Sequence, residues 1–288
     1  VTIVGLGITT ITAVQASTAN YISGTISAPL AVVTKIPLSI ATGQGGNSIA
    51  TSTDLGFTWT GRGTTLSSGY GVAGPATYDV STAYANFWIT GGYSSSGSGN
   101  TFALSTDGIT LTGVGLIQNT INGFACANNL LVAVSGGGGP NKIAYSTNGI
   151  TWNNGVGDIF TGQGYSVAYG AGLWVAAGTN YSQVGNTIAT STNGINWVGR
   201  GSPVSYSGRG VAFGKDGSNN NLWVVVGAEG SGNRIASSPD GITWTVRSAD
   251  YAIFYTSNGV AFGKDGSGNN LWVAVGNGNN TIATSTNG

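Results

Sequence analysis

The sequence of 288 residues has no histidine, no methionine, one cysteine (Cys126) and one glutamate (Glu229). Without histidine or a cysteine pair, zinc chemistry and histidine-based catalytic triads are excluded. A lone cysteine permits no internal disulfide, and its apolar setting, "GFACANNLLVAV", points to a buried, inert thiol. Charge is scarce as well: nine basic and nine acidic residues cancel, and together they make up 6% of the chain. So neutral a surface offers no electrostatic footprint for nucleic acid or anionic lipid. Apolar runs reach only strand length, so no membrane insertion is expected. The absent initiator methionine leads us to expect a piece of a larger modular chain.

What the sequence has in quantity is repetition. "NSIATSTDLGFTW", "NTFALSTDGITL", "NKIAYSTNGITW", "NTIATSTNGINW", "NRIASSPDGITW" and "NTIATSTNG" are versions of one phrase, with serines at Ser52, Ser105, Ser146, Ser191, Ser238 and Ser285. Their separation of about 41 to 53 residues falls in the range of a four-stranded propeller blade. One period reads as four strands: "GRGVAFG", then "LWVVVG" after the turn "KDGSNNN", then "NRIASS", then "ITWTVR" after "PDG". Second strands such as "LWVAAG" are apolar without alternation and require cover on both faces. The Asp-Gly and Asn-Gly pairs signal hairpins in which both residues tolerate positive φ. An all-β propeller of six four-stranded blades is the expected fold. Ala28 to Lys35 is expected to lend the last blade its outer strand, unless the true sequence runs on past Gly288.

The phrase itself carries a resemblance. "STDLGFTW" (Ser52, Asp54, Gly56, Trp59) resembles the Asp-box, S-x-D-x-G-x-x-W, found in sialidases and other β-propellers. The later copies resemble a version one residue shorter: Ser105 and Asp107; Ser146, Asn148 and Trp152; Ser191, Asn193 and Trp197; Ser238, Asp240 and Trp244. The resemblance covers about residues 36–288 and implies a structural role for these residues, away from any ligand. Residues 1–35 are similar to the end of a bacterial immunoglobulin-like surface module, or else form a linking strand pair.

Little catalytic chemistry is legible. A sialidase would need converging arginines and a tyrosine–glutamate pair. Glu229 has no tyrosine beside it, and the family's early arginine motif is missing. The loops "GKDGSNNN" and "GKDGSGNN" faintly resemble calcium loops, but they lack a closing glutamate and a plain turn explains both. No cofactor and no metal are expected. The varied loops after the fourth strands hold Tyr70, Phe160, Tyr165, Tyr206, Tyr251, Phe254 and Tyr255, suited to stacking on sugars or proteins. Arg62, Arg200 and Arg209 lie in "GRG" triplets, and Arg247 is repeat-equivalent to the first two. Candidate ligand contacts are therefore Arg62, Tyr70, Tyr165, Arg200, Tyr206, Arg209, Arg247 and Tyr255. The expected function is non-catalytic: a surface, fibre or virion module displaying a propeller for adhesion to a glycan or surface protein, outside the cell. The alternative is a sialidase-like glycoside hydrolase.

Overall fold

The computed structural model describes residues 7–15, 24–32, 39–54, 57–73, 88–93, 99–107, 109–115, 120–136, 142–157, 159–181, 185–228, 234–247 and 253–288. The chain divides into two units, residues 1–39 with 52–58 and residues 40–51 with 59–288. In the first, β1 (Gly7–Gln15) and β2 (Gly24–Val32) pair antiparallel along their whole length.

The second unit is a succession of antiparallel meanders. A three-stranded sheet comprises β3 (Ser39–Thr42), β4 (Ile49–Ser52) and β5 (Thr60–Gly61). Next come β6 (Ser68–Ala73), β7 (Trp88–Tyr93), β8 (Phe102–Ser105) and β9 (Thr112–Gly115). β10 (Thr120–Ala127), β11 (Leu130–Gly136), β12 (Ile143–Ser146) and β13 (Asn153–Asn154) follow. β14 (Gly164–Gly170), β15 (Leu173–Gly178), β16 (Ile188–Ser191) and β17 (Val198–Gly199) form a sheet of their own. The last strands are β18 (Ser207–Lys215), β19 (Asn221–Ala228), β20 (Ile235–Ser238), β21 (Thr245–Val246), β22 (Thr256–Lys264), β23 (Asn270–Asn277) and β24 (Ile282–Ser285).

The chain is all-β, but it is not the expected propeller of six equal blades. The described strands form five sheets of two, eight, four, seven and three strands, and these do not close into a ring. The eight-stranded sheet fuses two meanders through the pairing of Tyr93 with Thr120, and the seven-stranded sheet fuses two more through Ala228 with Thr256. A sequence period reports how often a local meander recurs. It does not encode these long-range pairings. The proposed closing strand fails for a direct reason: Ala28 to Val32 are paired with β1, and Lys35 lies outside the described residues. Nor is the immunoglobulin-like reading supported, because the described part of that segment is a single hairpin.

The second strands β11, β15 and β19 form the core, with Leu131, Val132, Val175, Ala176, Val225 and Val226 at 0% exposure. Residues just before the first strands plug this core from the loops. Leu66, Phe160, Val204 and Phe254 are 0 to 1% exposed. Phe160, Val204 and Phe254 fit because the facing second strand carries glycine at or next to its end; a Cβ at Gly178 would lie 2.6 Å from the Phe160 ring, one at Gly227 3.1 Å from Val204, and one at Gly276 2.8 Å from the Phe254 ring. Phe160 and Phe254, expected as stacking aromatics, are therefore packing residues.

The repeated phrase builds a turn stapled by side chains. In the third copy, the Ser146 hydroxyl donates to Asn148 Oδ1 and accepts from the Gly149 amide, while Asn148 Oδ1 accepts from the Ile150 and Thr151 amides. The Asn193 and Asp240 copies repeat this pattern. The ring nitrogens of Trp152, Trp197 and Trp244 donate to the carbonyls of Gly149, Gly194 and Gly241. Those glycines take φ of 72°, 72° and 75°, whereas the preceding Asn or Asp does not enter the left-handed region. The two-residue hairpin reading is thus corrected: the Asn or Asp serves as a hydrogen-bond acceptor and glycine alone takes the turn. Two-residue turns occur elsewhere, at Asn128–Asn129 and Ala171–Gly172, with positive φ throughout.

Candidate functional site

One irregularity recurs in every first strand. Opposite β11, Ile121 faces Ser135 and Gly123 faces Val134, which leaves Asn122 without a cross-strand partner. The same β-bulge isolates Tyr70 in β6, Tyr165 in β14, Arg209 in β18 and Asn258 in β22. A bulge re-aims the extra residue out of the ladder, and bulges concentrate beside functional sites. The first strands β6, β10, β14, β18 and β22 run beside one another in sequence order, so their bulges fall along one end of the array.

There they open a cleft of about 880 Å3. Asn122, Tyr165, Arg209 and Asn258 line it together with Thr120, Gln163, Phe124 and the residues that follow each bulge. Three of those following residues are glycine (Gly123, Gly210 and Gly259), and close approach requires it: a Cβ at Gly210 would lie 3.0 Å from the Gly259 Cα.

The cleft is held by bonds between neighbouring first strands. Asn122 Nδ2 donates to the Gly164 carbonyl at 2.8 Å, which turns its Oδ1 into the remaining acceptor. The Val211 amide donates to Ser166 Oγ at 3.2 Å. Arg209 Nη1 donates to Asn258 Oδ1 at 3.4 Å, and its guanidinium carbon lies 5.6 Å from the Tyr165 ring centroid. That separation is within cation–π range. Among the described residues, Arg209 is the only charged one in the lining, and no Asp, Glu, His or Cys joins it. Among the described lining residues there is neither a carboxylate pair nor a nucleophile with a base.

Of the contacts expected from sequence, the structure brings Tyr165 and Arg209 into this cleft. Tyr70 occupies the equivalent bulge in β6. Arg62, Arg200 and Arg247 point elsewhere: their Nε atoms donate to Thr51 Oγ1, Thr190 Oγ1 and Ser237 Oγ on the adjoining third strand. Tyr206 and Tyr255 precede the bulges of β18 and β22 by three residues. Glu229 and Tyr251 lie outside the described residues. Sequence reading missed Asn122, Gln163 and Asn258. Aligning "NGFACA", "YSVAYG", "RGVAFG" and "NGVAFG" would have placed Asn122, Tyr165, Arg209 and Asn258 in one column.

The remaining ionisable groups are tied into turns. The Thr58 hydroxyl and amide, with the Ser52 hydroxyl, hold the Asp54 carboxyl at about 2. Backbone amides of Thr110 and Ile109 hold Asp107 well below the usual carboxylate range, and the Thr243 amide lowers Asp240. Asp216 and Asp265 are lowered chiefly by the side chains of Asn220 and Asn269 within their own loops, an arrangement that explains both loops as turns. Among the described residues no group of three or more His, Cys, Asp or Glu could hold a metal ion. Burial pushes the Cys126 thiol up to about 12.

No family model matches the chain, and no curated protein sequence matches it. The Asp-box and immunoglobulin-like resemblances therefore have no family support. Among solved structures, the chain is similar to a GH74 xyloglucanase from Xanthomonas campestris, with 12% identity and a TM-score of 0.50 over 88% of this chain. This chain spans 37% of that one. It is also similar to a chain of a nidogen/laminin complex, with 11% identity and a TM-score of 0.51, over 83% of this chain and 89% of that one. At such identities the likeness concerns fold alone. Neither supports a propeller displayed for adhesion or a sialidase-like hydrolase, and the scaffold that both readings assumed is not formed.

Proposed function

We propose that the chain is a non-catalytic module that recognises carbohydrate in the bulge-lined cleft. The observation that carries this reading is the lining: three carboxamides (Asn122, Gln163, Asn258), a threonine hydroxyl and a tyrosine–arginine pair, with no carboxylate, imidazole or thiol among the described lining residues. A sugar hydroxyl both donates and accepts. Side-chain amides supply both partners, and an aromatic ring takes the apolar face of the sugar. A volume of about 880 Å3 lies within the range of small-molecule sites. Glycan partners of this kind are met outside the cell or on a cell or virion surface.

Calorimetric titration against a panel of neutral oligosaccharides, with a parallel panel of chromogenic glycosides, tests the reading. Binding without turnover is expected, weakened about tenfold or more by Tyr165→Ala or Asn258→Ala, a change of about 1.4 kcal/mol. Salt should alter it little, since hydrogen bonding and stacking dominate. Turnover of any glycoside, or saccharide binding indifferent to both substitutions, would overturn it.

A further inference from the structure

We infer that the cleft is one end of a longer binding track and that its ligand is an extended saccharide chain, with a second subsite on Tyr206 and Tyr255. This rests on the carbohydrate reading of the cleft. Tyr206 stands three residues before the bulge residue Arg209, and Tyr255 three residues before Asn258. At about 3.3 Å per residue, each lies within about 10 Å of its cleft residue, along the same strand end. Both backbones are pinned. The Tyr206 carbonyl accepts from the Asn180 amide at 3.2 Å, and the Tyr255 carbonyl accepts from Arg234 Nε at 2.5 Å, while its amide donates to Asn277.

Their rings differ in exposure, Tyr206 being half-buried and Tyr255 open to solvent. Tyr255 is 60% exposed, with its hydroxyl donating to Asn279 Oδ1 at 3.4 Å. Tyr206 is held at φ 65°, a left-handed conformation costly for a bulky residue and one that collects at ligand-binding positions. Tyr181, which follows Asn180, is 56% exposed. The neighbouring loops show that exposure is not forced by their chemistry, because Phe160, Val204 and Phe254 in the same loops are buried. Two aromatic side chains on pinned backbones, one half-buried and one open, set one short step outside a polar cleft, suit successive sugar rings of one chain. A single sugar would engage the cleft and leave the tyrosines unused.

The test uses β-1,4-linked glucose and N-acetylglucosamine oligomers of two and six units, titrated into the native chain and into Tyr206→Asn, Tyr255→Ala and Tyr165→Ala. Asparagine at 206 tolerates the left-handed backbone, so the turn survives loss of the ring. At least one series should bind with Kd about tenfold or more lower for the hexamer than for the dimer. The two outer substitutions should erase that gain and leave dimer binding unchanged, whereas Tyr165→Ala should weaken both lengths. Equal affinity for dimer and hexamer, or outer substitutions that weaken both lengths alike, would overturn the track and leave the cleft reading standing. Failure of every oligomer to bind would overturn both.

Discussion

The hairpins β18–β19 and β22–β23 are written almost identically, "GVAFGKDGSNNNLWVVVG" and "GVAFGKDGSGNNLWVAVG". They pair in the same register with the same bulge, and Phe213 meets Trp223 as Phe262 meets Trp272, with ring centroids 4.8 and 5.0 Å apart. Yet Val226 is fully buried while the equivalent Val275 is 42% exposed. The first hairpin has packed strands on both flanks, β14–β15 on one side and β22–β23 on the other. The second is covered by β18–β19 on one flank. Sequence specifies the strand, but neighbours specify its burial. A valine run is not by itself a core.

Substituting the tryptophans should have the largest effect and is the sharpest way to break this comparison. Trp223 and Trp272 are 1% and 2% exposed, because Trp272 packs back on Leu222 and Val224 and donates its ring nitrogen to the Lys215 carbonyl at 2.8 Å. Trp223→Ala and Trp272→Ala should each cost about 3–5 kcal/mol in denaturant unfolding. A cheap Trp272 would mean that the last hairpin is not docked as described. Trp197→Ala, at 5% exposure, belongs to the same class and should leave saccharide binding intact where the protein stays folded.

The valine pair comes next. Val226→Ala should cost about 2 kcal/mol and Val275→Ala less than about 1 kcal/mol, measured by the same unfolding curves. Equal costs would show that some element covers β23 in solution.

A smaller and opposite effect is expected at the β14–β15 turn, which replaces the five-residue β18–β19 loop by Ala171–Gly172. Ala171 sits at φ 49°, where an L-residue with a Cβ is strained and asparagine is preferred. Ala171→Asn should stabilise the chain by about 0.5–1 kcal/mol. A loss of stability would refute the turn assignment.

The smallest effect distinguishes Asp turns from Asn turns. The Asp240 carboxyl is lowered by the Thr243 amide, so the folded state favours its ionised form. That contribution is present above the unfolded carboxylate value of about 3.9 and is lost as pH falls through the lowered folded value. Asp54, at about 2, should lose its contribution between about pH 4 and pH 2. Asp240→Asn should flatten part of the acid limb of thermal stability, and Asn193→Asp should steepen it. No change from either would mean that these hydrogen bonds do not persist in solution.

Much of this was legible from one sequence. The second strands showed themselves as unalternated apolar runs, and serine, Asp or Asn, glycine and tryptophan at fixed spacing located the turns, although the left-handed backbone falls on the glycine alone. Tyr165 and Arg209 could be proposed as ligand contacts because they stand in varied loops with exposed chemistry. Arg62 and Arg200, in matching triplets, could not be told from Arg209 by local sequence. Their guanidinium groups reach hydroxyls on the adjoining strand, whereas Arg209 sits on a bulge. A bulge is a property of two paired strands, and no single strand announces it.

By itself the sequence determined the local vocabulary: all-β meanders, glycine at the left-handed turn positions and apolar second strands. These depend on residues close in the chain, where sterics and short-range hydrogen bonds decide. Only the tertiary structure decided that meanders fuse through Tyr93–Thr120 and Ala228–Thr256, that β23 stays half-covered where β19 is buried, and that four bulges from four strands meet around one cleft. Each of these is a contact between segments dozens of residues apart. Its free energy depends on which surfaces remain available once the local strands have formed, and a repeated sequence presents nearly the same surface every time.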